Sequence, residues 1–135
     1  MERVLVPTDG SDAAELALEK AFHLFPEGDV RVLTVIQISK LPTKGAQSAF
    51  DTAVSESEAV LESAEAIAAD HGRKIRTAMQ EGHAAKTIMS YAEANDIDHI
   101  VLGSTGQTGA KRILLGSVAE SVIRRAPCPV TVVRD

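Results

Sequence analysis

The residue types best suited to chemistry are concentrated in one stretch. Gly103-Ser104-Thr105-Gly106-Gln107-Thr108-Gly109 is a run dominated by glycine and hydroxyl side chains. Lys111-Arg112 follow, and Gly116-Ser117 then open the segment 117–125. Glycine lets a ligand approach the backbone closely. A helix N-terminus offers N–H groups that lack intrahelical partners, with a dipole that favours anions. Ser117 adds a hydroxyl, and Lys111 and Arg112 add positive charge. Together these parts describe a phosphate cradle; they equally describe a glycine-rich turn before a helix cap that holds no ligand. Two other phosphate-binding patterns are absent. No Gly-Lys-Ser/Thr occurs, which excludes the P-loop, and Pro7-Thr8-Asp9-Gly10-Ser11 replaces the G-x-G-x-x-G of a dinucleotide site. Asp9 is a carboxylate just past an apolar run, where it either meets a ligand or accepts hydrogen bonds within a turn.

The remaining reactive residues form no second constellation. His23, His71, His83 and His99 share no ligand spacing and are expected at surface or capping positions. Cys128, the sole cysteine, excludes an internal disulfide and a Cys-rich zinc site. Between Pro127 and Pro129 it reads as a small buried hydrophobe. No Ser-His-acid or Cys-His set follows from spacing, and nothing near Ser117 is a base, so no nucleophile is predicted.

The elements that must position these residues alternate. Arg3-Val4-Leu5-Val6-Pro7 is a short apolar strand ending in a turn. Residues 12–25 place Ala13, Leu16, Ala17, Lys20, Ala21 and Leu24 on one helical face, with Asp12 and Glu15 as a capping box. A strand over 30–36 is rich in β-branched residues. A loop over 37–48 leads to a helix over 49–70 with the stripe Val54, Ser57, Leu61, Ala64 and Ala68, flanked by Val60 and Ile67, and Gly72 at its cap. Strand 74–80, helix 84–95, strand 99–102, helix 117–125 and strand 130–133 complete the series. Strict alternation predicts a parallel sheet with helices on both faces. Ligands in such sheets bind beyond the carboxyl ends of the strands where strand order reverses, here the ends of the first and fourth.

Composition narrows the function classes. The 135 residues predict one domain over 1–135. Net charge is −5, which argues against a nucleic-acid or anionic-membrane surface. Aromatics are 3%, so base stacking on aromatic platforms is not expected and the core must be aliphatic. No apolar run approaches the length of a signal peptide or membrane span, which makes a cytoplasmic protein the expectation. Between Gly45 and Gly72 lie six acids (Asp51, Glu56, Glu58, Glu62, Glu65, Asp70) and no Lys or Arg. They describe a solvated outer face or a docking face.

The spacing Gly103-x2-Gly106-x9-Gly116-Ser117 resembles the nucleotide-binding pattern G-x2-G-x9-G-(S/T) of the universal stress protein family. Val4-Leu5-Val6-Pro7-Thr8-Asp9-Gly10-Ser11 looks like that family's opening strand and turn, and Gly82-His83-Ala84-Ala85 like its turn into the third helix. Leu115 through Glu120 and Ala126-Pro127-Cys128-Pro129-Val130 look like its closing helix and strand. The resemblance spans the chain. It implies a Rossmann-like three-layer α/β/α fold, a five-stranded parallel sheet of order 3-2-1-4-5, and an ATP-binding stress-response protein.

By position, the resemblance implies that Asp9 meets the ribose or a phosphate-bound Mg²⁺ and that Pro7 and Thr8 shape the turn. Val35 would lie against adenine. Gly103, Gly106, Gly116, Ser117 and Val118 would surround ribose and phosphates, with Ser104 and Thr105 at the variable positions between glycines. Lys111 and Arg112 remain as phosphate contacts, and AMP or ADP are alternatives to ATP. In the implied order the Val130-Thr131-Val132-Val133 strand is a sheet edge. An exposed edge invites association, and pairing with a second copy would remove it. Phosphoryl transfer needs a metal, charge clamps and a positioned nucleophile. Asp9, Lys111 and Arg112 come without an identifiable base, so a held ligand is the primary expectation; a slow ATPase or nucleotide-dependent transferase, and a structural dimer with an empty site, are the alternatives.

Overall fold

The computed structural model describes residues 1–105 and 115–134. Its elements, in chain order, are β1 (Arg3–Pro7), α1 (Asp12–Leu24), β2 (Asp29–Ile36), a single 3₁₀ turn (Ile38–Lys40), α2 (Ala46–Asp70), β3 (Arg76–Glu81), α3 (Ala84–Ala94), β4 (His99–Gly103), α4 (Ser117–Arg125) and β5 (Val130–Val133). Every strand pair is parallel, and the sheet order is β3-β2-β1-β4-β5, as expected.

Side-chain alternation along the strands separates two cores. Val4, Val6, Val30, Val32 and Val101 face α1 and α2, where they meet Ala17, Leu18, Ala21, Phe22, Ala64 and Ala68. Leu5, Leu33, Ile100 and Leu102 face α3 and α4, against Ala85, Ile88, Ala92, Ala119 and Val122. Strands covered on both faces read as continuous aliphatic runs, which is why β1 and β4 carry little polar interruption. β2 carries two, Arg31 and Thr34; Arg31 is buried on the α3 side, with Nη2 donating to Asp29 Oδ2 at 3.1 Å. Burial works against its charge, but Asp29 and Tyr91 outweigh that and hold its pKa above the ordinary value.

Several local expectations need correction. Ser11, not Asp12, caps α1: its side chain accepts from Ala14 N–H at 3.2 Å. The buried face of α1 is Ala13, Ala14, Ala17, Leu18, Ala21 and Phe22. Leu16 and Leu24 are 38% and 49% exposed, and Lys20 is exposed with them. The alanine row has a large apolar residue on either flank. Packing selects the Leu18–Phe22 flank, which joins Ala64 and Ala68 of α2 in one core, and leaves the Lys20 ammonium in water. The segment read as loop over 37–48 contains the 3₁₀ turn, and α2 begins at Ala46. β3 occupies Arg76–Glu81, two residues later in its start than predicted.

Gly72 does end α2. At φ +66° it donates to Ala69 C=O at 2.9 Å, while Arg73 N–H donates to Ala68 C=O at 2.8 Å, a Schellman closure. The turn delivers Arg73 beneath α1, where its guanidinium donates to the carbonyls of Phe22, Phe25 and Gly28 at 3.3, 3.1 and 2.9 Å. One helix end thereby satisfies the carbonyls that the other leaves open.

Candidate functional site

β1 pairs with β4 over only Val4↔His99 and Leu5↔Ile100. Beyond that, β1 continues with β2 to Pro7↔Leu33, and β4 with β5 to Gly103↔Val133. The chain leaves β1 toward β2 and leaves β4 toward β5, so their carboxyl ends bound a crevice where strand order reverses. A cleft of about 390 Å³ occupies it.

One wall is apolar. It comprises Leu33 and Val35, alternate residues of β2; Ala84 and Ile88, one turn apart on α3; and Leu102 of β4. The wall also offers a backbone edge. Leu33 C=O accepts from Thr8 N–H at 2.9 Å, toward β1, and Ile36 C=O accepts from Gly82 N–H at 2.9 Å, on the opposite side. Successive strand residues turn their amides to opposite edges. Val35 therefore turns its N–H and C=O to the β1 side, past Pro7, where β1 has ended.

The polar part of the lining is built by three turns. In the first, Thr8 Oγ1 accepts from Gly10 N–H at 3.1 Å and Asp9 Oδ1 accepts from Ser11 N–H at 3.0 Å. Gly10 sits at φ +82°, which L side chains rarely adopt. Asp9 thus has the turn role anticipated for it, and it also lines the cleft. In the second, Ser104 N–H donates to Val133 C=O at 2.9 Å and Ser104 C=O accepts from Gly116 N–H at 2.6 Å. Ser104 is 1% exposed, and its Oγ has no hydrogen-bond partner among the described residues. The third is the start of α4. No side chain caps it, and its first backbone bond runs from Glu120 N–H to Gly116 C=O at 3.0 Å. The N–H groups of Ser117, Val118 and Ala119 precede that bond, and all three residues line the cleft.

Of the residues singled out from the sequence, Pro7, Thr8, Asp9 and Val35 meet Gly103, Ser104, Thr105, Gly116, Ser117 and Val118 on this cleft. Gly106, Lys111 and Arg112 lie outside the described residues. Gly103 lines the cleft and also has a packing role: a Cβ there would stand 2.8 Å from the backbone C and O of Ala13, so the glycine lets α1 approach β4. Sequence reasoning missed Ala14, Leu33, Ala84, Ile88, Leu102 and Ala119, along with Gln37 and Lys40. The spacing of Leu33 from Val35 and of Ala84 from Ile88 carried a signal. Nothing in the sequence pointed to Lys40, the one cation among the described cleft residues. Asp9 is their one carboxylate, and no group of three or more metal-ligating side chains occurs among the described residues.

The universal stress protein family model matches residues 1–134. The chain belongs to the universal stress protein family. Universal stress protein MJ0531 of Methanocaldococcus jannaschii is 40% identical over 139 residues, spanning 98% of this chain and 82% of that protein. Universal stress protein UspA from Lactobacillus plantarum superposes with a TM-score of 0.87 at 28% identity, covering 98% of this chain and 97% of that one. A universal stress protein in complex with cAMP has a TM-score of 0.75 at 24% identity, over 98% and 96% of the two chains, and at that identity shares the fold. No described helix is long and apolar enough to cross a membrane.

Proposed function

We propose that this universal stress protein holds an adenine nucleotide, ATP foremost, in the cleft between β1 and β4, and that it acts as a cytoplasmic regulator. One observation carries the reading: an apolar lining with an outward-turned backbone edge and the uncapped start of α4 border a single cleft. The adenine ring would lie on Leu33, Val35 and Ile88. Its amino group and ring nitrogen match the C=O and N–H of Val35, one acceptor and one donor side by side. Phosphates would take the Ser117 and Val118 amides, where partial positive charge is fixed in place. Thr8 and Asp9, which line the same cleft, would meet the ribose, and Asp9 would share a Mg²⁺ with phosphate oxygens, since Mg²⁺ is commonly held by few carboxylates plus phosphate. Lys111 and Arg112 would add charge to the phosphate end. The cAMP complex of one protein with this fold agrees with the ligand class.

A held ligand is favoured over turnover. Asp9 is the sole carboxylate among the described cleft residues, no histidine is among them, and Asp9 Oδ1 already accepts from Ser11 N–H. The chain would then act as one domain through partner contacts, with two copies paired antiparallel along β5. Identification of nucleotide released on denaturing the purified protein, followed by calorimetric titration of ATP and AMP with Mg²⁺, tests the reading. Saturable binding with no phosphate released over hours is expected. Absence of heat at millimolar ATP overturns nucleotide binding, and steady phosphate release overturns the holding role.

A further inference from the structure

Ser104 occupies a junction that nucleotide holding alone does not require. Its N–H is donated to Val133, the last residue of β5, and its C=O takes the N–H of Gly116, the residue that opens α4. Ser104 lines the cleft, and its hydroxyl is buried without a partner among the described residues. An unsatisfied buried hydroxyl is unfavourable, and a ligand oxygen is what would relieve it. Val133 and Gly116 hold Ser104 in this position.

We propose that Ser104 couples occupancy of the cleft to the edge strand β5: a nucleotide oxygen bonded to the Ser104 hydroxyl tightens the Ser104–Val133 closure and so stabilises β5. The inference rests on the nucleotide reading of the cleft. Its physical content is linkage. A ligand that binds better to the state with Ser104 in place must favour that state by the same factor. β5 is the element on which such a bias would register. It has four residues, is paired on one side only, and lies at the sheet edge, where local opening is easiest. A second copy pairing along β5 would sense the change directly.

Hydrogen–deuterium exchange on the full chain, with and without ATP and Mg²⁺, tests the coupling. Peptides over 129–134 report β5, and peptides over 7–14 report arrival of ligand at the β1 turn. In the wild type, ATP should slow exchange in both, in β5 by about three- to tenfold. In Ser104→Ala, ATP should still protect 7–14, while protection of β5 falls below about twofold; its ATP affinity should drop by about three- to tenfold, one hydrogen bond's worth. Without ligand, the variant should melt no lower than the wild type, because it loses an unsatisfied group. A clear drop in the ligand-free melting temperature would mean that the hydroxyl is structural, and would overturn the proposal. So would β5 exchange that ATP leaves unchanged in a wild type that binds ATP by calorimetry, or β5 protection in the variant equal to that of the wild type. A wild type that binds no ATP fails earlier, at the nucleotide reading itself.

Discussion

Gly103 and Ser104 are adjacent, yet one is constrained by packing and the other carries a buried hydroxyl with no partner among the described residues. The Cβ that Gly103→Ala adds would meet the Ala13 backbone at 2.8 Å, and backbone cannot swing aside as a side chain can. The substitution should cost about 1–3 kcal/mol, read as a lower urea midpoint at unchanged slope. It should also displace the β1 turn, since α1 carries Ser11 and the start of that helix. The glycine spacing was legible in the sequence, but its reason was not: the atoms that exclude a side chain belong to a helix 90 positions earlier in the chain (103 − 13). Lys40 was illegible for a related reason, because only the 3₁₀ turn after β2 carries it back to the cleft. Cys128 is simpler. It is half-buried, and burial, reinforced by the charge of Asp98, pushes its thiol pKa above the ordinary value. At neutral pH its thiolate fraction is below that of a free cysteine, so native protein should alkylate slowly and unfolded protein faster, as followed by mass spectrometry with iodoacetamide.

At the scale of elements, α4 gives the sharpest test because its first amides are not part of its own hydrogen-bond ladder. Ser117 is the first helical residue, and Gly116 before it is extended at φ −67°, ψ 159°, a conformation compatible with a following proline. Ser117→Pro therefore deletes one N–H without breaking the helix, at the position where proline is best tolerated. Thermal stability should hold, while ATP affinity falls by about tenfold and adenosine affinity stays put, with Ser117→Ala separating the hydroxyl from the amide. α4 and the strands were readable because composition and breakers agreed: Pro127 and Pro129 after the helix, aliphatic runs in β1, β2 and β4. The phase of α1 was harder, because Ala13, Ala17 and Ala21 fit either flank and only the partner helix decides between Leu16–Leu24 and Leu18–Phe22. Lys20, an exception within the stripe, was the residue that marked the wrong flank.

The whole molecule is governed by strand order. Alternating elements fixed the parallel sheet, and the resemblance supplied the order β3-β2-β1-β4-β5, which puts β5 at an edge. Along β5, Pro129 and Val133 direct their carbonyls to β4, to Ile100 and Ser104. Alternation then turns the Val132 N–H outward. Val132→Pro should leave β4 pairing intact while removing a donor from the free edge. If two copies join there, the wild type will sediment as a dimer at tens of micromolar, about the usual working range, and the variant as a monomer. A wild-type mass that stays monomeric at every concentration rules the pairing out. The other extreme of the molecule is the outer half of α2. The helix has 25 residues and a length of about 37 Å, yet only Ala64 and Ala68 of it are buried. Its sheet-bound end is fixed by Gly72 and Arg73; before Leu61 none of its side chains belongs to either core or to the half-buried residues packed against them. Within that stretch Ala49, Phe50, Ala53 and Val54 are half-buried and the remaining side chains exposed, so a change of length between Ala46 and Val54 would fall outside both cores and should leave the register of every strand as it is.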